Sequence, residues 1–253
     1  MRRINGRSVL VTGAASGLAA GIAAGLAEDG FARVAITWRE SSPEQTLARI
    51  RTAGARASAT QIDFLAESSA IESALAECVS EHGPFDTLVH AVGPMSFARL
   101  ERADDAAYRA MFDGNVRSAW LAARAVLPGM RAAAFGRILA FGMNGSAFAA
   151  SAPGLGLHAA SKSALISLLR TLAAEVAGSG ITVNAIEPGD IREKALTRDE
   201  TRTVSAANHD DACGLARSDR RIDLGLRRRS SLPRVVYLPV TGGLQGPYER
   251  KNT

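Results

Sequence analysis

Ser8-Val9-Leu10-Val11-Thr12-Gly13-Ala14-Ala15-Ser16-Gly17-Leu18-Ala19 is the stretch that decides the fold. Its β-branched apolar start reads as a buried strand, Thr12-Gly13 as the exit from it, and the Ala-rich continuation as a helix start. A strand that turns through glycine into a helix gathers backbone N–H groups and the positive helix end at one point, where a pyrophosphate can sit. Gly13 permits the turn and Gly17 a close backbone approach, with Ser16 and Leu18 in the same candidate binding turn. The plain alternative is a tight packing turn without a ligand. Gly21 and Gly25 continue the four-residue spacing along one helix face. An interior glycine costs about 1 kcal/mol relative to Ala, so the spacing predicts a helix lying close to the sheet.

Outward from this turn, short β-branched runs alternate with longer Ala/Leu-rich segments at helical spacing, the pattern of a parallel sheet with helical crossovers. Strands are expected near 8–12, 32–37, 57–62, 86–91, 136–141 and 181–186, apolar on both faces. Helices are expected near 17–29, 43–54, 67–82, 104–130 with a break, and 156–177. The expected fold class is α/β, a Rossmann-type doubly wound parallel sheet in a single domain spanning 1–253. After Ile191 the alternation fails, and the polar, Arg-rich residues 192–234 are expected to be poorly ordered; a last strand is expected at 235–240.

The chain has 253 residues, 47% hydrophobic and 22% charged, which excludes a disordered or collagen-like polymer. Cys78 and Cys213 are too few for a disulfide framework and too distant for a paired zinc motif, so a reducing compartment, the cytoplasm, is the expectation. The apolar run at 8–11 is too short for a secretory or membrane-spanning segment. Ten basic against six acidic residues in 200–253 supply most of the net charge of +5, and no aromatic interleaving accompanies Arg227-Arg228-Arg229, so a solvated charge run is preferred to a nucleic-acid site. His82, His90 and His209 have no metal-ligand spacing and are expected to be structural or exposed.

The spacing Thr12-Gly13-x3-Gly17-x-Ala19 resembles the turn Thr-Gly-x3-Gly-x-Gly of the short-chain dehydrogenase/reductase family, with Ala19 in place of the third glycine. The resemblance covers residues 5–191 and resumes at 235–245. It implies that Asp63 bonds the adenine with Phe64 beside the ring, that Asn115 holds a water next to a catalytic lysine, and that Pro188, Gly189 and Ile191 form the loop at the nicotinamide amide. Leu88-Val89-His90-Ala91-Val92-Gly93 stands where the family has Asn-Asn-Ala-Gly; Gly93 is kept, and the loss of both Asn residues is expected to weaken side-chain bonding at the central strand. Arg39, after the second strand, favours the 2′-phosphate of NADP(H), while Glu40 keeps NAD open.

In the family a Ser after the fifth strand and a Tyr-x3-Lys on the next helix perform the chemistry. Aligned on Arg137–Ser146 and Leu157–Lys162, Met143 takes the Ser position and His158 the Tyr position, while Lys162 remains one helical turn beyond His158. Losing an oxyanion donor costs on the order of 10²–10³ in turnover and losing a general acid roughly 10²–10⁴, unless neighbours substitute. Asn144 and Ser146 lie on the same loop and could reach the substrate oxygen, though turn formation is the simpler role for each. His158 is expected to donate the proton, its pKa lowered by Lys162, so that carbonyl reduction accelerates as pH falls from about 8 toward 6. The simpler alternative for His158 is a solvent-facing residue at the helix start.

These features point to an NADP(H)-dependent oxidoreductase that interconverts a carbonyl and an alcohol, with Asn115, His158 and Lys162 as its catalytic candidates. The competing readings are a non-redox relative (a cyclase, dehydratase, isomerase or cofactor-binding scaffold) and an inactive product whose segment 192–234 has lost the substrate-covering helices by divergence or a frame change. A homo-oligomer, dimer or tetramer, is expected from the apolar surface of 115–130 and 156–177.

Overall fold

The computed structural model describes residues 6–188 and the backbone of 237–240. Seven strands form one parallel sheet: β1 (Ser8–Thr12), β2 (Arg33–Trp38), β3 (Arg56–Gln61), β4 (Thr87–His90), β5 (Gly136–Phe141), β6 (Ile181–Pro188) and β7 (Tyr237–Val240). Their order is β3-β2-β1-β4-β5-β6-β7. β1 pairs with β2 on one side (Val9 opposite Val34) and β4 on the other (Leu10 opposite Leu88), so the winding reverses beside it.

Successive strand residues point to opposite faces, and both faces are covered. Leu10, Leu88, Ile138 and Val183 pack with α3 (Ser68–His82), α5 (Ser118–Ala132) and α6 (Gly156–Glu175). Val9, Val11, Val34 and Ile36 pack with α1 (Gly17–Glu28) and α2 (Glu44–Thr52). The doubly wound α/β architecture and its elements thus follow the hydrophobic periodicity, with ends displaced by at most two residues. β3 departs from the expected two-sided burial: Arg56 and Gln61 are exposed and Ala57–Thr60 only half-buried, because β3 is an edge strand paired with β2 alone.

The expected break in the fourth helix is a wide turn rather than an interruption. α4 (Asp105–Phe112), capped by Asp104 accepting from the Ala107 N–H, runs into a π-helical turn at Asp113–Arg117 and on into α5. Asn115 Nδ2 donates to the Met111 carbonyl four residues back, and Ser118 Oγ donates to the Gly114 carbonyl. Side chains thereby take acceptors that ordinary helical amides would use, and the ladder loosens locally.

The glycine stripe on α1 also departs from expectation. A Cβ at Gly21 or Gly25 would meet nothing within 4 Å, so neither brings the helix to the sheet. Close approach comes instead from Ala19, Ala20, Ala23, Ala24 and Ala27, whose small side chains are buried. No helix among the described residues is long and apolar enough to cross a membrane.

Candidate active site

The carboxyl ends of β1 and β4 open where the winding reverses, and the turn after β1 lies there. Gly13 and Gly17 have φ of +67° and +66°, a region that suits glycine. Gly13 N donates to Thr37 Oγ1 at 3.0 Å and Ala14 N to the Thr37 carbonyl at 2.9 Å, so β2 fixes the turn. Gly13, Ser16 and Gly17 are exposed, with Leu18 half-buried behind them. Ser16 is the N-cap of α1 but its side chain accepts no bond from the first helical amides, which leaves those donors for an anion.

At the far end of the crevice, Arg39 follows β2 and pairs with Glu40 at 3.1 Å, both side chains largely exposed. Asp63 is exposed and accepts from the Leu65 N–H at 2.9 Å. Phe64 corrects its expectation: its ring is buried and meets His90 edge-on, centroids 5.8 Å apart, so it packs in the core rather than beside an adenine.

His90 replaces the expected loss of bonding with a directed chain. Thr12 Oγ1 accepts from the Ala91 N–H at 3.0 Å and lies 3.0 Å from His90 Nδ1; His90 Nε2 lies 3.0 Å from Ser118 Oγ, whose proton goes to the Gly114 carbonyl. Ser118 therefore accepts from His90 Nε2–H, and Nδ1 accepts from Thr12. Burial, with Lys162 adding to it, pushes the His90 pKa down to about 3 and keeps this neutral form. The chain joins the turn after β1 to the π-helical turn.

Asn115, His158 and Lys162 come together around Gly93 and Pro94. The Pro94 carbonyl accepts from Asn115 Nδ2 at 3.0 Å and from His158 Nδ1 at 3.1 Å. Lys162 Nζ donates to the Phe141 carbonyl at 2.6 Å, and burial lowers its pKa to about 8. Asn115 Oδ1 is buried with no partner among the described residues. A Cβ on Gly93 would stand 2.9 Å from Lys162 Nζ and 3.1 Å from Asn115 Oδ1, so only glycine leaves the space between those two groups. His158 is buried rather than solvent-facing, and its pKa falls to about 4, first through burial and then through Lys162, against the opposing Pro94 bond. The direction matches expectation, but imidazolium is scarce from pH 8 to 6, so the expected acceleration of reduction shifts to more acidic pH.

The β5 loop carries Met143 in the Ser position and offers little in exchange. Ser146 Oγ donates to Glu187 Oε1 at 2.7 Å and accepts from the Met143 N–H at 3.2 Å, so its hydroxyl serves the turn. Asn144 is half-buried on the same loop. Glu187, missed in the sequence, is signalled there as an acid ending the apolar run 181–186; Pro94 acts through its carbonyl and leaves no side-chain signal. Pro188 ends β6, half-buried. Gly189, Ile191, the segment 192–234, His209 and Arg227–Arg229 lie outside the described residues.

The chain matches the short chain dehydrogenase family over residues 7–204. It is 36% identical over 180 residues to the short-chain reductase protein NovJ of Streptomyces niveus, a match covering 71% of this chain and 67% of that relative. It is 31% identical over 198 residues to cyclopentanol dehydrogenase of Comamonas testosteroni, covering 76% and 75%. Among solved structures, the blue fluorescent protein from a metagenomic library in complex with NADPH superposes with a TM-score of 0.80 at 27% identity, covering 97% of this chain and all (100%) of the other. The chain belongs to the short-chain dehydrogenase/reductase family.

Proposed function

We propose that this short-chain dehydrogenase/reductase family member is an NADP(H)-dependent oxidoreductase that interconverts an alcohol and a carbonyl, with Asn115, His158 and Lys162 at the reacting end. One observation carries this reading: Lys162 Nζ and the buried Asn115 Oδ1, which has no partner among the described residues, border a space that only the missing Cβ of Gly93 leaves open. A ribose hydroxyl or a water needs such a donor–acceptor pair. When bound, the nicotinamide supplies hydride chemistry. The exposed turn at Gly13, Ser16 and Gly17 would hold the pyrophosphate on the free amides of α1, and Asp63 the adenine. Arg39 would pair with the 2′-phosphate, and the NADPH-bound structural relative supports that choice.

Fluorescence titration with NADPH and NADH, followed by turnover against ketones, acyl thioesters and pterins, tests the proposal. Binding of neither cofactor overturns it. Met143 in the Ser position, with Ser146 committed to Glu187, favours a second reading: a non-redox enzyme of the same fold, with His158 moving a proton in a cyclisation, dehydration or isomerisation. Cofactor binding without turnover in either redox direction supports that reading. A homo-oligomer is proposed as well, because Trp120 on α5 stays 45% exposed beside an otherwise buried face.

A further inference from the structure

A carbonyl oxygen has no proton to give, so at the 3.1 Å contact with Pro94 the hydrogen belongs to His158 Nδ1. A neutral imidazole carries one N–H, which leaves Nε2 with a lone pair. Nε2 makes no hydrogen bond among the described residues and is not sealed from solvent. The Pro94 carbonyl is itself held in place. Asn115 Nδ2 donates to it, and a Cβ on Gly114 would come within 2.4 Å of the Pro94 ring, so the π-helical turn and Pro94 fit against each other with nothing between. Burial and the Lys162 charge keep the ring neutral, which preserves the assignment at neutral pH. The loop opposite supplies no hydroxyl in compensation, since Met143 replaces one and Glu187 occupies that of Ser146.

We infer that the Pro94 carbonyl is a positioning group that fixes the His158 tautomer with Nε2 as acceptor, so that at neutral pH the site is set to take the proton of a substrate hydroxyl. The imidazolium that would donate one to a substrate carbonyl is scarce there. The substrate class is therefore an alcohol, and the favoured direction is oxidation. The hydroxyl proton passes to Nε2 as the O–H bond breaks. The carbinol hydrogen leaves with its electron pair to an oxidised nicotinamide dinucleotide, and the C–O bond becomes C=O. The imidazolium then returns its proton to water. The substrate half of this inference rests on the dehydrogenase reading above; the tautomer half does not.

The test begins with long-range ¹H–¹⁵N correlation on the ¹⁵N-labelled full chain at neutral pH, which distinguishes a protonated ring nitrogen from one with a lone pair. His158 is expected as Nδ1–H and His90 as Nε2–H, opposite tautomers in one protein. The Nδ1–H pattern should vanish in His158→Asn. Should that variant not fold, a chain with His82→Gln and His209→Gln retains only the two histidines in question and should show one of each tautomer. Two Nε2–H rings overturn the inference. Initial rates then compare secondary alcohols plus oxidised cofactor with the matching ketones plus reduced cofactor. Oxidation is expected to be faster by about tenfold or more, a part of the roughly 10²–10⁴-fold that an acid–base group contributes. Faster ketone reduction overturns the inference while leaving the dehydrogenase reading intact. Failure to bind either cofactor overturns that reading and the substrate half with it, although the tautomer is still read in the free chain.

Discussion

Ser146 Oγ donates to Glu187 Oε1 at 2.7 Å, tying the β5 loop to the end of β6. The same oxygen accepts the Ala147 N–H at 2.7 Å. Glu187→Ala leaves both donors without their acceptor in a buried place, at a cost of about 1–3 kcal/mol for each group left unpaired. Urea unfolding should show a lower midpoint for Glu187→Ala and a smaller drop for Glu187→Gln, which keeps a carbonyl acceptor. An unchanged midpoint in the alanine variant would contradict the bond's role.

Met143→Ser and His158→Tyr rebuild the family's hydroxyl pair. Both groups address one substrate oxygen, so their effects should couple. In ketone reduction the double variant is expected to gain more than the product of the two single gains. Strictly multiplicative gains would place the two side chains at different points of the substrate.

Arg39 and Glu40 are paired at 3.1 Å on the surface, so a 2′-phosphate must compete with a carboxylate for the guanidinium. Arg39→Ala is expected to reduce the preference for NADPH over NADH by about tenfold, near the lower end of a charge-assisted bond because the site is exposed. Glu40→Gln removes the competitor and should raise the preference. Titration of both cofactors checks this; a preference that survives Arg39→Ala assigns it to another residue.

His90 and His158 titrate near 3 and 4 in the folded chain, against 6.5 for an ordinary histidine. Both values are lowered, so the unfolded chain binds the protons first as acid is added. Their contribution to stability is complete above about pH 6.5 and is lost as pH falls through 4 and then 3. Each group gives a slope of at most about 1.4 kcal/mol per pH unit in that window. Unfolding free energies measured from neutral to acid pH should fall with this slope, and His90→Asn should flatten it. Stability independent of pH between 6.5 and 4 would refute the burial of neutral imidazoles.

Gly21→Ala and Gly25→Ala should each stabilise the chain by roughly 0.5–1 kcal/mol, because the added Cβ meets nothing and the unfolded chain loses freedom. Gly114→Ala should do the opposite, since its Cβ would strike the Pro94 ring at 2.4 Å. Thermal midpoints of the three variants separate these cases. Destabilisation by both α1 substitutions would mean that this face is covered in the native protein.

The order of strands and helices and the glycine turn after β1 were legible in the sequence, because each depends on neighbours within a few residues. Apolar period sets strand or helix, and Gly13 sets the turn. The positions of Asn115, His158 and Lys162 were legible too, through the spacing the chain shares with its family. What each side chain is bonded to was decided only by tertiary structure. His158 meets the Pro94 carbonyl 64 residues away, Ser146 meets Glu187 across 41, and Thr12 meets His90 across 78. Such partners are brought together by strand order and by which face of a helix turns inward, and neither leaves a local mark. That is why Phe64 was expected at a ligand and lies in the core, and why the α1 glycines were expected at the sheet and face open space. It is also why the sequence could place a histidine one helical turn before Lys162 but not say which of its nitrogens holds the proton: a backbone carbonyl, present in every residue, makes that choice only where the fold aims it.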